Sequence, residues 1–306
     1  MNTRIGILGT AKGPHIQSLV SALQQQGVQP VLLPPTFLTS RVPGYTTAET
    51  SAGQLAVDDM AALLVRSLPG GSLEQVIYRM DALHRLENAG VRVINRPGTL
   101  EKMVDKFYTL ALLADAGVPV PPTVVTERFE QAMAAAREMG AVVVKPLFGS
   151  LGTGITLVED MEVAYRVFRA LELGRYVYYL QQFLPHGNED FRLFVLDGRV
   201  VAAMRRRGTG WKTNIACGAS AEYVDPDPVF AVLAVKSAAI LAADYVGVDI
   251  LISQERPYVI EANGIPGWAG LQSVARVDIA GLVAQYVIKA AELAAGRSSP
   301  VSYAVI

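Results

Sequence analysis

Short apolar runs alternate with helical patterns through roughly the first hundred residues, and nothing else in the sequence restricts the fold as tightly. Arg4 to Leu8, "RIGIL", is a strand-like run. The small-residue turn "GTAKG" and the helical pattern of "HIQSLVSALQQQG" follow it, and "VQPVLLPP" completes a strand–helix–strand unit. The same order returns in "ALLVRSLP", "LEQVIYRMDALHRLENAG" and "VRVIN". Alternation of this kind predicts a parallel α/β lobe. Gly6 and Gly9 do not complete the dinucleotide fingerprint, so the first turn reads as a tight strand-to-helix connection.

A second region opens at "NRPGTLEKMVDKFYTLALLADAG". Thr99 is placed there to cap one helix that carries Glu101, Lys102, Asp105 and Lys106 in its first turns and ends at Gly117. "VPVPP" forces an extended connection to "TVVT", a helix through "FEQAMAAAREMG", and the strand "AVVVKPL" leading into "FGSLGTGI". A third region begins near Tyr176 with the strand "YVYYLQQFL". "FRLFVLDGRVVAAMRRR" is predicted as a hairpin turning at Asp197-Gly198. A long helix covers "VFAVLAVKSAAILAADY", another hairpin joins "VDILIS" to "PYVIEAN", and a final helix ends near Gly296.

Composition narrows the function classes. At 306 residues the chain suggests about two domains, and 51% hydrophobic against 18% charged residues supplies a real core. A net charge of −1 gives no global attraction for nucleic acid or an anionic membrane. The single Cys217 excludes an internal disulfide framework and fits a reducing compartment; His15, His84 and His186 are too dispersed for a His-rich zinc site. The start, "MNTRIGILGT", lacks the apolar core of a signal peptide, and the most apolar segment is broken by Lys236 and Asp244. A cytoplasmic protein is expected.

The last hairpin carries the sharpest chemical signal. With "QER" as a polar turn, pairing Ile252 with Tyr258 sets Asp249 opposite Glu261, and alternation puts Asn263 on the face of Glu261. Neighbouring carboxylates repel each other, and a hard divalent cation resolves the conflict. The bland alternative is a solvated strand face. Lys145 ends an apolar strand and precedes a loop with Gly149, Ser150, Gly152 and Gly154, whose backbone N–H groups suit phosphate oxygens. A lysine closing four apolar residues needs an anionic partner. Lys106 sits in the first half of a helix, where lysines usually face solvent. "QQFL", Gln181 to Leu184, offers a crossover segment for a flat base, and "MRRRGTGWKTN" gathers Arg205, Arg206, Arg207 and Lys212 beside Asn214 as an anion clamp or a solvated loop.

Together these residues resemble the ATP-grasp superfamily and, within it, the RimK-like amino-acid ligases. The likeness runs from about Leu64 to about Gly270. It is most specific at "VDKFYTLALLADAGVPVPPT", "VVVKPLFGSLGTGI", "DFRLFVLDGRVVAAMRR" and "GVDIL…YVIEANGIPG". It implies an α/β ATP-grasp fold: a parallel α/β N-terminal domain over residues 1–96, then two α+β lobes clamping ATP. These are a central subdomain with a glycine-rich lid over 97–180 and a C-terminal subdomain with the metal site over 181–297.

The resemblance also implies roles. Lys106 and Lys145 would contact the α- and β-phosphates of ATP under a lid from Phe148 to Gly154 that includes Gly149, Ser150 and Gly152. Gln182 and Phe183 would form the adenine hinge, Asp190 would lie near the ribose or substrate edge, and Lys212 and Asn214 would face the phosphates. Asp249, Glu261 and Asn263 would hold two Mg²⁺ ions, with Mn²⁺ as a substitute. Arg192 and Arg206 would steady a substrate carboxylate and its acyl phosphate, which an amine such as that of glutamate then attacks. The implied partners are a small-molecule carboxylate, such as a pterin or furan coenzyme, and an amino acid, acted on by a dimer or tetramer. Rival readings are ligation onto a protein C-terminus and a non-catalytic ATP-binding module. Family members often carry arginine where Cys217 stands, glutamate where Gln182 stands, and in some cases arginine at Lys212.

Overall fold

All four residues of β1 (Ile5–Leu8) are buried, as a strand covered on both faces requires. α1 (Pro14–Gln25) follows with proline at its start, then β2 (Val31–Leu33). β3 (Leu38–Arg41), β4 (Glu49–Ala52) and β5 (Leu55–Ala56) form a small antiparallel sheet. β6 (Ala62–Val65), α2 (Leu73–Asn88) and β7 (Arg92–Ile94) complete this part, with Ser72 and Gln75 closing a capping box on α2. The main sheet has the order β2-β1-β6-β7 with every pair parallel, as the alternation predicts. The structure is a computed structural model that describes residues 4–11, 13–149 and 154–297; Ser150 and Gly152 of the glycine loop lie outside the described residues.

The one helix expected from Thr99 to Gly117 is two: α3 (Pro97–Val104) and α4 (Lys106–Asp115). Asp105 is extended between them, and its carboxylate accepts the Tyr108 N–H at 3.0 Å. Asp105 is therefore the cap of α4, Lys106 opens that helix, and Thr99 lies inside α3.

β8 (Thr123–Thr126), β9 (Val142–Lys145), β10 (Thr156–Val158) and β11 (Tyr178–Gln182) make an antiparallel sheet of order β10-β9-β11-β8. Its core joins Val142, Val144, Tyr178 and Leu180 to Ala132 and Ala136 of α5 (Phe129–Met139) and to Ala164 and Phe168 of α6 (Met161–Leu173). β12 (Glu189–Leu196), β13 (Arg199–Arg207), β14 (Ser220–Tyr223), β15 (Tyr245–Ser253) and β16 (Arg256–Asn263) form a second antiparallel sheet, of order β14-β13-β12-β15-β16. The β12–β13 turn is Asp197-Gly198, both at positive φ, as the sequence predicts. Leu193, Val195, Val248 and Ile250 share a core with Leu233 and Leu241 of α7 (Pro228–Leu241) and with Leu110 and Leu113 of α4. Residues of α3 and α4 thus pack with the five-stranded sheet, whereas the expected division put them in the central subdomain.

The chain closes with α8 (Ala269–Gln272) and α9 (Ile279–Arg297). Contacts divide the described residues into two units: one holds those of 4–100, 267–269 and 277–297, the other those of 101–266 and 270–276. The final helix therefore belongs with the first unit, not with the C-terminal lobe where the sequence division put it. By length and composition α9 is long and apolar enough to cross a membrane. Its Ile279, Val283, Ala284 and Val287 are nevertheless buried, and it packs on α1, β6 and β7 as a core helix does.

Candidate active site

The β15–β16 hairpin turns through Gln254 and Glu255, both at positive φ, with Ser253 opposite Arg256. The turn is one residue tighter than expected: Leu251 pairs with Tyr258 and Ile252 with Pro257. A register shift then leaves Ile260 without a partner in the ladder and brings Asp249 opposite Glu261 after all. The bulge reconciles the side-chain pattern. Val259 and Ala262 enter the core, while Ile260 and Glu261 line a cleft with Asp249 and Leu251.

Cross-strand register assembles a charged floor. Arg192 stands opposite Asp249, and Asp190 opposite Arg206. Arg192 Nε and Nη2 donate to the two Asp249 oxygens, each at 2.6 Å, and Arg206 Nη2 lies 2.9 Å from Asp249 Oδ2. Arg206 Nε and Nη2 also donate to Asp190 Oδ1 at 2.7 Å and Oδ2 at 2.5 Å, and the Thr213 hydroxyl donates to Oδ2 at 2.7 Å. Burial opposes the Asp249 charge, but Arg192 and Arg206 hold its carboxyl down to about 2. Burial pushes the Asp190 carboxyl up against the pull of Arg206. Burial likewise opposes the Arg206 charge, yet Asp249 and Asp190 hold it above the ordinary arginine range. The Arg206 side chain is 3% exposed and that of Arg192 14%, so Arg192 has the more open approach.

Three lysines reach backbone or side-chain oxygens. Lys145 donates to Gln181 Oε1 at 2.7 Å, and Gln181 Nε2 donates to Thr123 Oγ1 at 3.2 Å. Burial brings the Lys145 ammonium down to about 8, with Glu261 pulling the other way. Lys106, half-buried at the head of α4, donates to the Gly149 carbonyl at 2.7 Å, and burial lowers its pKa also. Lys212 donates to the Ile155 carbonyl at 2.8 Å. The chain can approach itself there only because residue 208 is glycine: a Cβ would stand 2.2 Å from the Lys212 carbonyl oxygen.

The cleft, open to solvent, is lined by Lys145, Gln181, Gln182, Phe183, Asp190, Arg206, Lys212, Asn214, Asp249 and Glu261 among others. Gln182 and Phe183 spend their backbone N–H groups on Pro122 and Ala141 carbonyls, at 2.8 and 2.9 Å. Phe183 packs edge-on against His186 and Trp211, and the two ring nitrogens of His186 lie 2.8 Å from the Leu184 carbonyl and 2.9 Å from that of Trp211. Lys106, Gly149, Arg192 and Asn263 are not among the cleft-lining residues. Asn263 Oδ1 accepts the Ile265 N–H at 3.0 Å. Sequence spacing gives Gln181 only as the start of the crossover segment, not as the partner of Lys145, and does not pick out Thr213; the signal for both is a buried charge beside them that needs a hydrogen-bond partner.

Among the described residues no three His, Cys, Asp or Glu side chains group to hold a metal. Two carboxylates facing each other and a nearby carboxamide nevertheless fit magnesium, which keeps water and phosphate oxygens among its ligands.

Residues 103–287 match the RimK-like ATP-grasp domain. The tetrahydromethanopterin:alpha-L-glutamate ligase of Methanococcus maripaludis is 32% identical over 284 residues, covering 90% of this chain and 95% of that protein. The solved RimK domain ATP-grasp protein from Sphaerobacter thermophilus superposes with a TM-score of 0.73 at 26% identity, over 94% of this chain and all of its own. The ATP-grasp ligase PsnB with a minimal precursor, Mg and ADP gives a TM-score of 0.73 at 23% identity, over 94% of this chain and 98% of that one. The fold thus has its counterpart in known ligases, and the chain belongs to the RimK-like ATP-grasp family of ATP- and magnesium-using ligases.

Proposed function

We propose that this ligase joins an amino acid, glutamate foremost, to the carboxylate of a small-molecule coenzyme by way of an acyl phosphate. The observation that carries the reading is the pairing of Asp249 with Glu261 across β15 and β16, in the same cleft as Lys145 and Lys212. The M. maripaludis relative, a tetrahydromethanopterin:alpha-L-glutamate ligase, supports glutamate and a pterin-type acceptor.

In this reading the substrate carboxylate takes the γ-phosphoryl group of ATP and ADP leaves; the amine then attacks the activated carbonyl and phosphate leaves. The aromatic group of Phe183, His186 and Trp211, with Gln182, receives the base. Lys106, Lys145, Lys212, Asn214 and the loop from Gly149 hold phosphate oxygens, the lysines turning from the carbonyls and the amide they now meet. Asp249, Glu261 and Asn263 would hold two magnesium ions, for which manganese would substitute. Bound there, the metal neutralises phosphate charge. Arg192, the more exposed arginine, steadies the substrate carboxylate, while Arg206 is locked between Asp190 and Asp249 and serves to fix them. Self-association as a dimer or tetramer and a cytoplasmic location belong to the reading by family resemblance.

Glu261→Gln is the decisive variant, because Glu261 is in no ion pair among the described residues, whereas Asp249→Asn disrupts a buried network. With ATP, magnesium, glutamate and a panel of pterin and furan carboxylates, the wild type is expected to release ADP and yield a product heavier by one residue. The folded variant is expected to lose ADP release by on the order of a hundredfold. Undiminished turnover in the variant would overturn the metal assignment.

A further inference from the structure

His15 takes no part in the cleft. It is the second residue of α1, and its Nε2 accepts two backbone N–H groups, from Trp268 at 2.8 Å and from Ala269 at 3.1 Å. These donors open α8, where the first N–H groups of a helix lack partners of their own. A ring nitrogen that accepts carries no proton, so the imidazole is neutral with its proton on Nδ1. The Trp268 indole meets the imidazole edge-on, centroids 5.0 Å apart, and the Arg66 guanidinium lies 4.3 Å from the Trp268 ring centroid.

The electrostatic surroundings favour the neutral ring. The first turn of α1 has no acidic residue to stabilise an imidazolium, and the charged group acting on the ring is Arg66, just beyond β6. Burial, and then Arg66, hold the imidazole below its ordinary value of 6.5. Protonation would set an N–H against two N–H donors.

What this contact holds is the chain leaving the carboxylate-bearing strand. Only Gly264, Ile265, Pro266 and Gly267 separate Asn263 from Trp268. That stretch has little slack: Asn263 Oδ1 takes the Ile265 N–H, and a Cβ on Gly247 would stand 3.0 Å from Pro266 Cβ. We propose that His15 is a positioning residue for ligation, a neutral acceptor that fixes the Trp268–Ala269 turn and through it the run that leaves Asn263. The role rests on the ligase reading above.

The test compares His15→Phe, which keeps a ring without an acceptor, with His15→Gln, which offers an acceptor that does not titrate. Amide exchange over residues 264–272 reads the turn. ADP release with ATP, magnesium, glutamate and a pterin-type carboxylate reads the reaction. His15→Phe is expected to exchange about tenfold faster and to lower kcat about tenfold with KM for ATP within about twofold. His15→Gln is expected to restore both and to remove the loss of activity that protonation of His15 brings at acid pH, below the ordinary imidazole value. Unchanged exchange in His15→Phe, faster exchange with unchanged kcat, or a His15→Gln variant no better than His15→Phe would each overturn the proposal. Should His15→Phe not fold, wild type against His15→Gln decides it, followed from about pH 7.5 downward until the wild-type His15 ring is seen by NMR to take up its proton: only the wild type should loosen as it does. A wild type that makes no ADP in any pairing, yet whose exchange responds to His15, defeats the ligase reading and the catalytic role with it, leaving a structural contact alone.

Discussion

Lys145 closes β9 with its ammonium 2.7 Å from Gln181 Oε1 and a pKa brought down by burial to about 8. Its charge is therefore present below that pH and lost above it. The value of kcat/KM for ATP is expected to fall as pH rises past about 8. Lys145→Arg should remove that limb, since guanidinium does not titrate there, and Gln181→Leu should move it to lower pH by deleting the acceptor that favours the charged form. A pH–rate profile of the three proteins checks this. Arg206 makes a different case, because it is clasped by two buried carboxylates. Arg206→Met leaves buried Asp190 without its arginine and Asp249 with Arg192 alone, and is expected to cost about 3–5 kcal/mol in urea unfolding. Lys145, Asp249 and Glu261 stand out in the sequence because charge inside an apolar run needs a partner. Gln181 and Thr213 do not, because an uncharged polar residue in a strand or loop has too many ordinary uses.

At the scale of elements, the β15–β16 hairpin shows how a right pairing can follow from a wrong path. The sequence pairs Ile252 with Tyr258; the chain instead turns one residue sooner and regains the residue at Ile260, so Asp249 still meets Glu261. Alternation alone cannot reveal a bulge, because "VIEAN" offers an apolar residue on either side of the register. The break between α3 and α4 is hidden for a similar reason. Helical spacing continues through it, and only the Asp105 cap marks the stop. The tight turn itself supports a prediction. Glu255 sits at φ 62°, where a side chain is strained, and it lies away from the cleft-lining residues. Glu255→Gly is expected to stabilise the fold by about 0.5–1 kcal/mol with ADP release unchanged, read from urea midpoints and turnover.

For the molecule as a whole, the parallel lobe was legible from its alternation, but the return of α9 to it was not, since an apolar helical stripe does not say which surface it will cover. Val283 is fully buried in that helix. Val283→Asp places an unpaired charge there and is expected to cost more than about 3 kcal/mol, measured by urea denaturation with amide exchange in residues 4–94 as the local readout. The same return sets an order for synthesis. A ribosome that has finished β7 must still add the 184 residues from Asn95 to Asp278 before α9 begins, roughly 10 to 40 s at ordinary translation speeds. Throughout that interval the surface of α1, β6 and β7 that α9 will cover faces water, while the four-stranded and five-stranded antiparallel sheets emerge complete. The lobe made first is the last to close, and on the nascent chain its uncovered face is the one most in need of a chaperone.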